Sequence, residues 1–372
     1  MKRGSDCRAW PERSAGSEQV LTNWLIYGAT GYTGRLIVRR AVARGLRPIL
    51  AGRSSPALAE LAGPLGLEFR VAPLDDAALA RAVDGCGLVL HCAGPFEETS
   101  APMVAACLRA KAHYLDITGE IEVFEALAAR SDEARRAGVM LLPGVGFDVV
   151  PTDCLAAHLK QRLPSATTLH LGIRARAGLS RGTAATAAAS LGRPLLARCA
   201  GKIVPVPAEW ARRRIDFGRG LERVAALSWG DVSTAWHSTG IPDIAVYFAV
   251  NPSSERVLSI AGRLGWLLGA PPVQALLRWG IRRRAPGPTD DERASGGAIL
   301  WGEVRDPLGR TAAARLRTPE GYTLTAMTAV AAVERVLTGQ APTGFQTPSR
   351  AYGADFILEM DGVWRDDLAT PC

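Results

Sequence analysis

The chain has 372 residues, 48% hydrophobic and 22% charged, which excludes a largely disordered or low-complexity polypeptide and sets two domains of about 150 to 200 residues as the working division. Its net charge of +8 rests on arginine, since Lys2, Lys111, Lys160 and Lys202 are the only lysines; Schiff-base chemistry therefore has few candidates, and no Lys/Arg block or nucleic-acid motif points to DNA or RNA. Seven scattered cysteines without a CxxC pair, and five histidines without HxH, HxxxH or HExxH spacing, suit a reduced compartment and a protein with no metal.

Residues 1–22 are polar, contain no apolar run, and read as a mobile tail or a misplaced start rather than a signal peptide or anchor. From Trp24 to Val150, apolar runs over 24–27, 48–51, 68–71, 88–91, 113–116 and 139–142 alternate with helix-like stretches near 33–44, 56–63, 76–83, 99–110 and 121–137. That alternation predicts an α/β fold, a Rossmann doubly wound parallel sheet over residues 23–150. After Val150 the pattern changes. Pro151 opens a helix that runs to Arg162, Thr167–Arg176 and Val224–Val250 read as strands, and Gly182–Arg198 reads as an Ala-rich helix. Residues 151–320 are thus expected to form a second, α+β domain for the substrate. Within it, residues 257–284 carry two apolar helical stretches broken by Pro271-Pro272 and closed by Arg282, Arg283 and Arg284, each too short to span a bilayer. A loop over 285–297, a hairpin over 298–317 turning at Asp306–Gly309, and a final helix over Tyr322–Thr338 with an irregular tail complete the chain.

Directly after the first strand stands Gly28-Ala29-Thr30-Gly31-Tyr32-Thr33-Gly34. Glycine here permits a tight turn, lets backbone N–H groups approach a pyrophosphate, and lets helix and strand pack closely, while the helix N-terminus favours negative charge. Gly28, Thr30, Gly31, Tyr32, Thr33 and Gly34 are accordingly the candidate phosphate contacts. At the end of the second strand, where an acidic residue would accept from a ribose 2′-hydroxyl, the sequence places Gly52-Arg53-Ser54. A guanidinium and a hydroxyl there suit a 2′-phosphate, so NADP is expected over NAD. Asp75 is a ready N-cap at the third strand's end and is counted with the cofactor contacts. Ala93, Gly94 and Pro95, after the fourth strand, let the backbone pass close to the nicotinamide half. Asp116–Glu120, after the fifth, is either part of the site or a helix cap, and Pro143–Asp148, after the sixth, is a candidate wall of the active site.

Several chemistries are excluded. No tyrosine is followed four residues on by lysine, the pair that short-chain dehydrogenases use, and there is neither a GxSxG elbow nor a Walker lysine. Hydride transfer oriented by the protein survives. Three residues are candidates for catalysis, each with a structural alternative. Asp148 either faces the cleft to orient substrate or relay a proton, or it or Asp153 caps the helix near Pro151. Tyr114 either faces the cleft or belongs to the core. His237 is either an acid reaching down from the second domain or a structural histidine. Residues 257–284, with Trp266, Leu276 and Trp279 beside arginines, are either an interfacial surface for a bilayer or acyl chain, or a buried helix pair.

Taken together, GATGYTG, LAGRS, HCAGPF, HYLDITGE and PGVGFDVVPTD resemble the saccharopine-dehydrogenase-like oxidoreductases, and most closely the branch that includes the trans-acting enoyl reductases. LSRGTAAT, WGDVSTAWHSTGIPDIAVY, GPTDDER, PEGYTLTAMTAV and GFQTPSRAYGADFI extend the resemblance from Trp24 to the C-terminus. The resemblance implies an NADP-binding Rossmann domain, a second α+β domain over it, and a C-terminal segment, residues 321–372, that returns to the first. It implies an NADPH-dependent oxidoreductase reducing a C=C bond of an unsaturated acyl, lipid or polyketide intermediate, and it transfers no catalytic residue. A saccharopine-type imine reductase and a non-catalytic NADPH-binding regulatory or lipid-surface protein stand as alternatives. Expected partners are a small-molecule or carrier-bound acyl substrate, a second copy of the chain in a homodimer, and the inner membrane face through 257–284, with the protein in the cytoplasm.

Overall fold

The computed structural model describes residues 23–176, 180–190, 193–207, 212–250 and 270–369. Strands β1 (Trp24–Tyr27), β2 (Ile49–Gly52), β3 (Phe69–Val71), β4 (Leu88–His91), β5 (His113–Asp116) and β6 (Met140–Leu142) pair in parallel. Most are buried at every position because helices cover both faces, which is why they read as short apolar runs rather than alternations. The helices between them are α1 (Tyr32–Ala43), α2 (Ser55–Ala62), α3 (Asp76–Val83), α4 (Phe96–Ala110), α5 (Ile121–Ala129) and α6 (Ser131–Ala137). The stretch expected as one helix over 121–137 breaks at Arg130, which leaves helical geometry at ψ 9°.

The second sheet begins after α7 (Val150–Arg162) with β7 (Thr168–Arg176). There follow α8 (Arg181–Ser190), β8 (Leu196–Cys199), β9 (Lys202–Pro205), β10 (Arg212–Asp216), β11 (Leu221–Ala226), α9 (Asp231–Thr239) and β12 (Asp243–Ala249). Helices α10 (Pro271–Arg282) and α11 (Asp290–Ser295) lead to the hairpin of β13 (Gly297–Arg305) and β14 (Thr311–Pro319), then α12 (Gly321–Leu337). Strand β15 (Gly344–Phe345), α13 (Pro348–Tyr352) and β16 (Trp364–Leu368) finish the described chain. The sheet order is β10-β11-β12-β7-β13-β14-β16, antiparallel except where β12 meets β7.

Within residues 151–320 three sequence expectations change. The Ala-rich helix ends at Ser190, not Arg198, and the chain past Pro194 becomes β8. Residues 224–250 are not all strand: α9 interrupts them. Its Val232, Thr234 and Thr239 read as β-formers, but Thr234, Ser238 and Thr239 turn their hydroxyls onto carbonyls four residues back, satisfying them within the helix. The stretch expected as a loop over 285–297 contains α11, fixed by a capping box between Thr289 and Glu292.

The tail expected to be irregular contributes a strand to each sheet. β15 pairs with β6 at the edge of the first, giving the order β15-β6-β5-β4-β1-β2-β3, and β16 pairs with β14 in the second. Between them α12 packs against α1, where Arg44 and Glu334 form an ion pair at 2.9 Å. A single apolar core runs from Ile26 and Ile37 through Val330 and Val333 to Leu300 and Leu316, so the two sheets share their packing.

Of the expected interfacial stretch, 257–269 lies outside the described residues. α10 leaves Leu276 64% and Trp279 53% exposed, with Arg283 stacked 3.8 Å over the indole. Among the described residues no helix is long and apolar enough to cross a membrane, no group of side chains has the makings of a metal site, and the cysteines form no disulfide.

Candidate active site at the strand ends

The glycine loop is as tight as its sequence requires. Gly28 has φ +82°, and a Cβ there would lie 2.8 Å from the Ala93 Cβ; a Cβ on Gly34 would lie 2.3 Å from the Gly28 carbonyl oxygen. Close approach of the loops after β1 and β4 therefore depends on glycine at the first position, and packing of α1 on its own turn depends on it at the last. Gly31 is the N-cap of α1 and brings no side chain to it, so the first-turn N–H groups of Tyr32, Thr33 and Gly34 face the loop without a side-chain acceptor. A helix N-terminus of this kind, uncapped and lined by glycine, fits a pyrophosphate. Thr30 uses its carbonyl to accept from Arg35 Nε at 3.1 Å. The Tyr32 ring is covered from the second domain: its hydroxyl donates to the Pro288 carbonyl at 2.6 Å, accepts from Arg293 at 3.0 Å, and its ring meets Tyr322 edge-on at 5.1 Å.

Arg53 stands exposed at the end of β2, and among the described residues no carboxylate pairs with it. Its charge and that of Asp75 both bear on the Tyr27 hydroxyl, which places the two residues at the same end of the sheet. Asp75 caps α3 through Ala78 N at 2.8 Å, and Ser54 caps α2 through Ala57 N at 3.5 Å. Among the described residues Arg53 is thus without a carboxylate partner, at the strand end where dinucleotide-binding folds read the ribose.

The loop Ala93-Gly94-Pro95 is held from beneath. His91 is fully buried, stacks on Tyr27 at 5.4 Å, and places Nε2 2.9 Å from Thr99 Oγ1, whose hydroxyl donates to the Ala93 carbonyl at 2.7 Å. Burial lowers the His91 pKa to about 4, so the ring is a neutral strut. Glu120 accepts from Phe96 N at 3.1 Å and Glu97 N at 2.6 Å, which starts α4 at Phe96, three residues before the sequence pattern suggests.

Tyr114 belongs to the core. It is fully buried, and its hydroxyl donates to Asp116 Oδ2 at 2.8 Å. Asp116 Oδ1 accepts from Thr118 N at 3.0 Å and Gly144 N at 2.8 Å, joining the loops after β5 and β6. Burial raises its pKa to about 6, against the pull of those hydrogen bonds.

Asp148 lies over Gly119, where a Cβ would sit 3.1 Å from its Oδ2. It does not cap α7: Val149 is the N-cap, without a side-chain hydrogen bond. Asp153 does not cap it either, since its carboxylate accepts from Ser349 N at 2.7 Å and from the Ser238 hydroxyl. Asp148 accepts from Trp229 Nε1 through its backbone carbonyl at 2.7 Å, leaving its half-buried carboxyl without a hydrogen bond among the described residues. Burial and then the charge of Glu120 raise its pKa to about 7.

His237 is placed elsewhere. α9 begins beneath Gly119, and His237 stands six residues on from Asp231, roughly 9 Å along the axis at 1.5 Å per residue. It packs on Phe345 at 4.9 Å with Nε2 3.8 Å from Glu125 Oε1. The structure therefore brings Asp148 together with Asp116 and Glu120 at the strand ends and leaves His237 down the side. Asp231, which the sequence pattern did not single out, is fully buried, and burial pushes its pKa well up against the pull of the nearby Thr152 hydroxyl.

A glycine turn feeding an uncapped helix, with a free arginine one strand over, defines a dinucleotide-binding domain of the NADP type, here joined to an α+β domain. Residues 24–142 match the family model described as the saccharopine dehydrogenase NADP binding domain. A probable mitochondrial saccharopine dehydrogenase-like oxidoreductase of Arabidopsis thaliana is 33% identical over 147 residues, 35% of this chain and 32% of that protein. A trans-acting enoyl reductase of Mycobacterium ulcerans is 31% identical over 147 residues, 37% of this chain and 35% of the relative. The matched segment spans about a third of these relatives. The fold is that of apo saccharopine dehydrogenase (L-Glu forming) from Saccharomyces cerevisiae, with a TM-score of 0.64 at 12% identity over 94% of this chain and all of that one.

Two outcomes follow from the geometry. Arg53→Ala should weaken NADPH about tenfold to a hundredfold, the worth of a charge-assisted hydrogen bond, and leave NADH unchanged in fluorescence titrations; equal loss for both dinucleotides would remove Arg53 from the phosphate site. Asp148, with its folded pKa raised to about 7, holds a proton that the unfolded chain releases near pH ~4. Its contribution to stability is complete below ~4 and is lost as pH rises through 7. Asp148→Asn, neutral throughout, should gain in Tm relative to the parent between pH 5 and 8; an unchanged difference would refute the raised pKa.

Proposed function

We propose that the chain is an NADPH-dependent reductase of a C=C bond in an unsaturated acyl, lipid or polyketide intermediate, with Asp148 managing the proton. The observation that carries this reading is the Asp148 carboxyl: half-buried, unclaimed by any described hydrogen-bond donor, and held near pH 7 beside Gly119 at the strand ends. A general acid works best when its pKa lies near the working pH. When bound, NADPH supplies the hydride. Addition of hydride to the β-carbon of an enoyl thioester moves an electron pair toward the α-carbon and carbonyl, and one proton completes the saturated product. Asp148 gives that proton and recovers it from solvent.

The surrounding residues support this division of labour. Glu120 is pinned by two N–H groups of α4, so its negative charge stays beside Asp148 and keeps the latter's pKa up. Besides burial, the charge that bears on Asp148 is that of Glu120, and among the described residues no cation opposes it. Phe147 and Trp229 flank it, the former packed against Gly321 and the latter against Phe248. An apolar, cation-poor setting suits an acyl chain better than an imine carrying amino-acid carboxylates, which would call for paired arginines. The names of the mycobacterial relatives point the same way.

Deuterium transfer from 4-deuterated NADPH, followed by mass spectrometry against enoyl thioesters and preformed amino-acid imines, tests the reading. Label is expected at the β-carbon of an acyl product, and Asp148→Asn should cut turnover by about a hundredfold or more with NADPH affinity kept. Label on an amine, or none on either class, would overturn it.

A further inference from the structure

The face of the second sheet opposite α7 and α12 carries an arginine cleft that the proposed reduction does not use. It lies where the C-terminal ends of β7 and β14 meet the start of β13, and is lined by Arg174, Arg219, Arg317, Trp364 and the backbone of Gly296 and Gly297. Acids on this face are already engaged. Glu222 pairs with Arg174 at 3.0 Å, Glu303 with Arg213 at 2.7 Å, and Asp216 with Arg315 at 3.1 Å. Among the described residues no carboxylate pairs with Arg219 or Arg317. Among the described residues, three guanidiniums against the single carboxylate of Glu222 leave two positive charges uncompensated in the cleft.

The turn that presents Arg219 is built for the purpose. Asp216 Oδ1 accepts from Gly218 N at 2.6 Å and Gly220 N at 3.0 Å, while its backbone carbonyl accepts from Arg315 Nε at 3.1 Å. Gly218 and Gly220 adopt φ +102° and +98°, conformations that side-chain-bearing residues rarely take. A Cβ on Gly218 would lie 3.4 Å from Arg315 Nη1 and 3.9 Å from Arg317 Nη2. Glycine thus lets the turn close onto the sheet while Arg219 at its tip stays exposed. On the opposite wall Arg317 stacks 5.4 Å from the half-exposed Trp364 ring, which holds its guanidinium in place without neutralising it.

We propose that this cleft binds a phosphate monoester. Two uncompensated charges match the −1.5 to −2 of a monoester near neutrality better than the single charge of a carboxylate, and the planar forks of arginine match phosphate oxygens. The cleft is about 240 Å³ and open, below the usual 300 to 1,000 Å³ of sites that enclose a whole ligand. It takes the phosphate head and leaves the rest of the ligand outside. That phosphate has two sources, a soluble ester or the headgroup of a lipid.

Calorimetry on the full chain, saturated with NADP so that the cofactor site is filled, tests this with sn-glycerol 3-phosphate as the probe. One saturable site is expected, weakened about tenfold or more in R219A/R317Q, with NADPH affinity unchanged. R219A alone keeps every hydrogen bond of Asp216 to the turn backbone, and it should show the same direction of change if the double variant folds poorly. Flotation with phosphatidylcholine vesicles containing phosphatidic acid separates the sources. Capture of the parent but not of R219A/R317Q assigns a lipid headgroup, and saturable probe binding without capture assigns a soluble ester. Absence of a saturable site in the parent, or equal binding by the variants, would overturn the proposal whatever the outcome for enoyl reduction.

Discussion

Much of the candidate site hangs on the buried carboxyl of Asp116. It accepts from the Tyr114 hydroxyl, from Thr118 N and from Gly144 N, and its backbone carbonyl accepts from Val145 N at 2.8 Å. The loops after β5 and β6 are thereby one unit, and that unit sets Gly119 under Asp148. Removing the carboxyl would strand two buried N–H groups, at about 1–3 kcal/mol each. Its pKa of about 6 records a balance: burial pushes it up, and the donors pull it down. Glu120 carries the frame one loop further by fastening α4, so the ends of β4, β5 and β6 share a continuous set of hydrogen bonds.

The second domain closes on the other end of the cofactor loop. Tyr32 reaches Pro288 and Arg293, and Tyr322 accepts from Ser180 N at 2.7 Å while meeting Tyr32 edge-on. Gly287 lies against the Tyr32 ring so closely that a Cβ there would sit 2.6 Å from it. The glycine turn and the loop before α11 are therefore shaped to each other. α12, which leaves Tyr322 and packs on α1, makes this contact part of the shared core rather than a loose touch between domains.

How much of this was legible depended on range. The tight turn at Gly28, Gly31 and Gly34 was readable because its geometry is set within one strand and the following turn. Strands β1, β4 and β5 were readable because a parallel sheet buried on both faces writes short apolar runs. Helix α9 was misread because β-branched and hydroxyl residues favour strand in isolation, and their satisfaction by carbonyls four residues back appears only once the helix is formed. Glu120 looked like a first-turn residue of α5; its partners Phe96 and Glu97 are more than twenty residues away, and sequence spacing carries no trace of that contact. β15 and β16 were invisible for the same reason, being short strands completed by edges laid down much earlier in the chain.

The acids gathered at the strand ends raise an electrostatic question that their burial answers. Asp116, Glu120, Asp148, Asp153 and Asp231 lie in or near a domain made for an anionic dinucleotide, and five full negative charges there would oppose it. Burial raises the pKa of all five, which eases that opposition most at Asp148, the acid whose value is brought to about 7. Two of them, Asp116 and Asp148, rise to about 6 and about 7, within reach of physiological pH. An incoming dinucleotide adds negative charge, which raises the pKa of a nearby carboxyl further. Asp148 should then be more fully protonated with cofactor bound than without, the state in which a proton donor is needed. In the role proposed for Asp148, binding of the dinucleotide therefore favours the protonated form of the carboxyl.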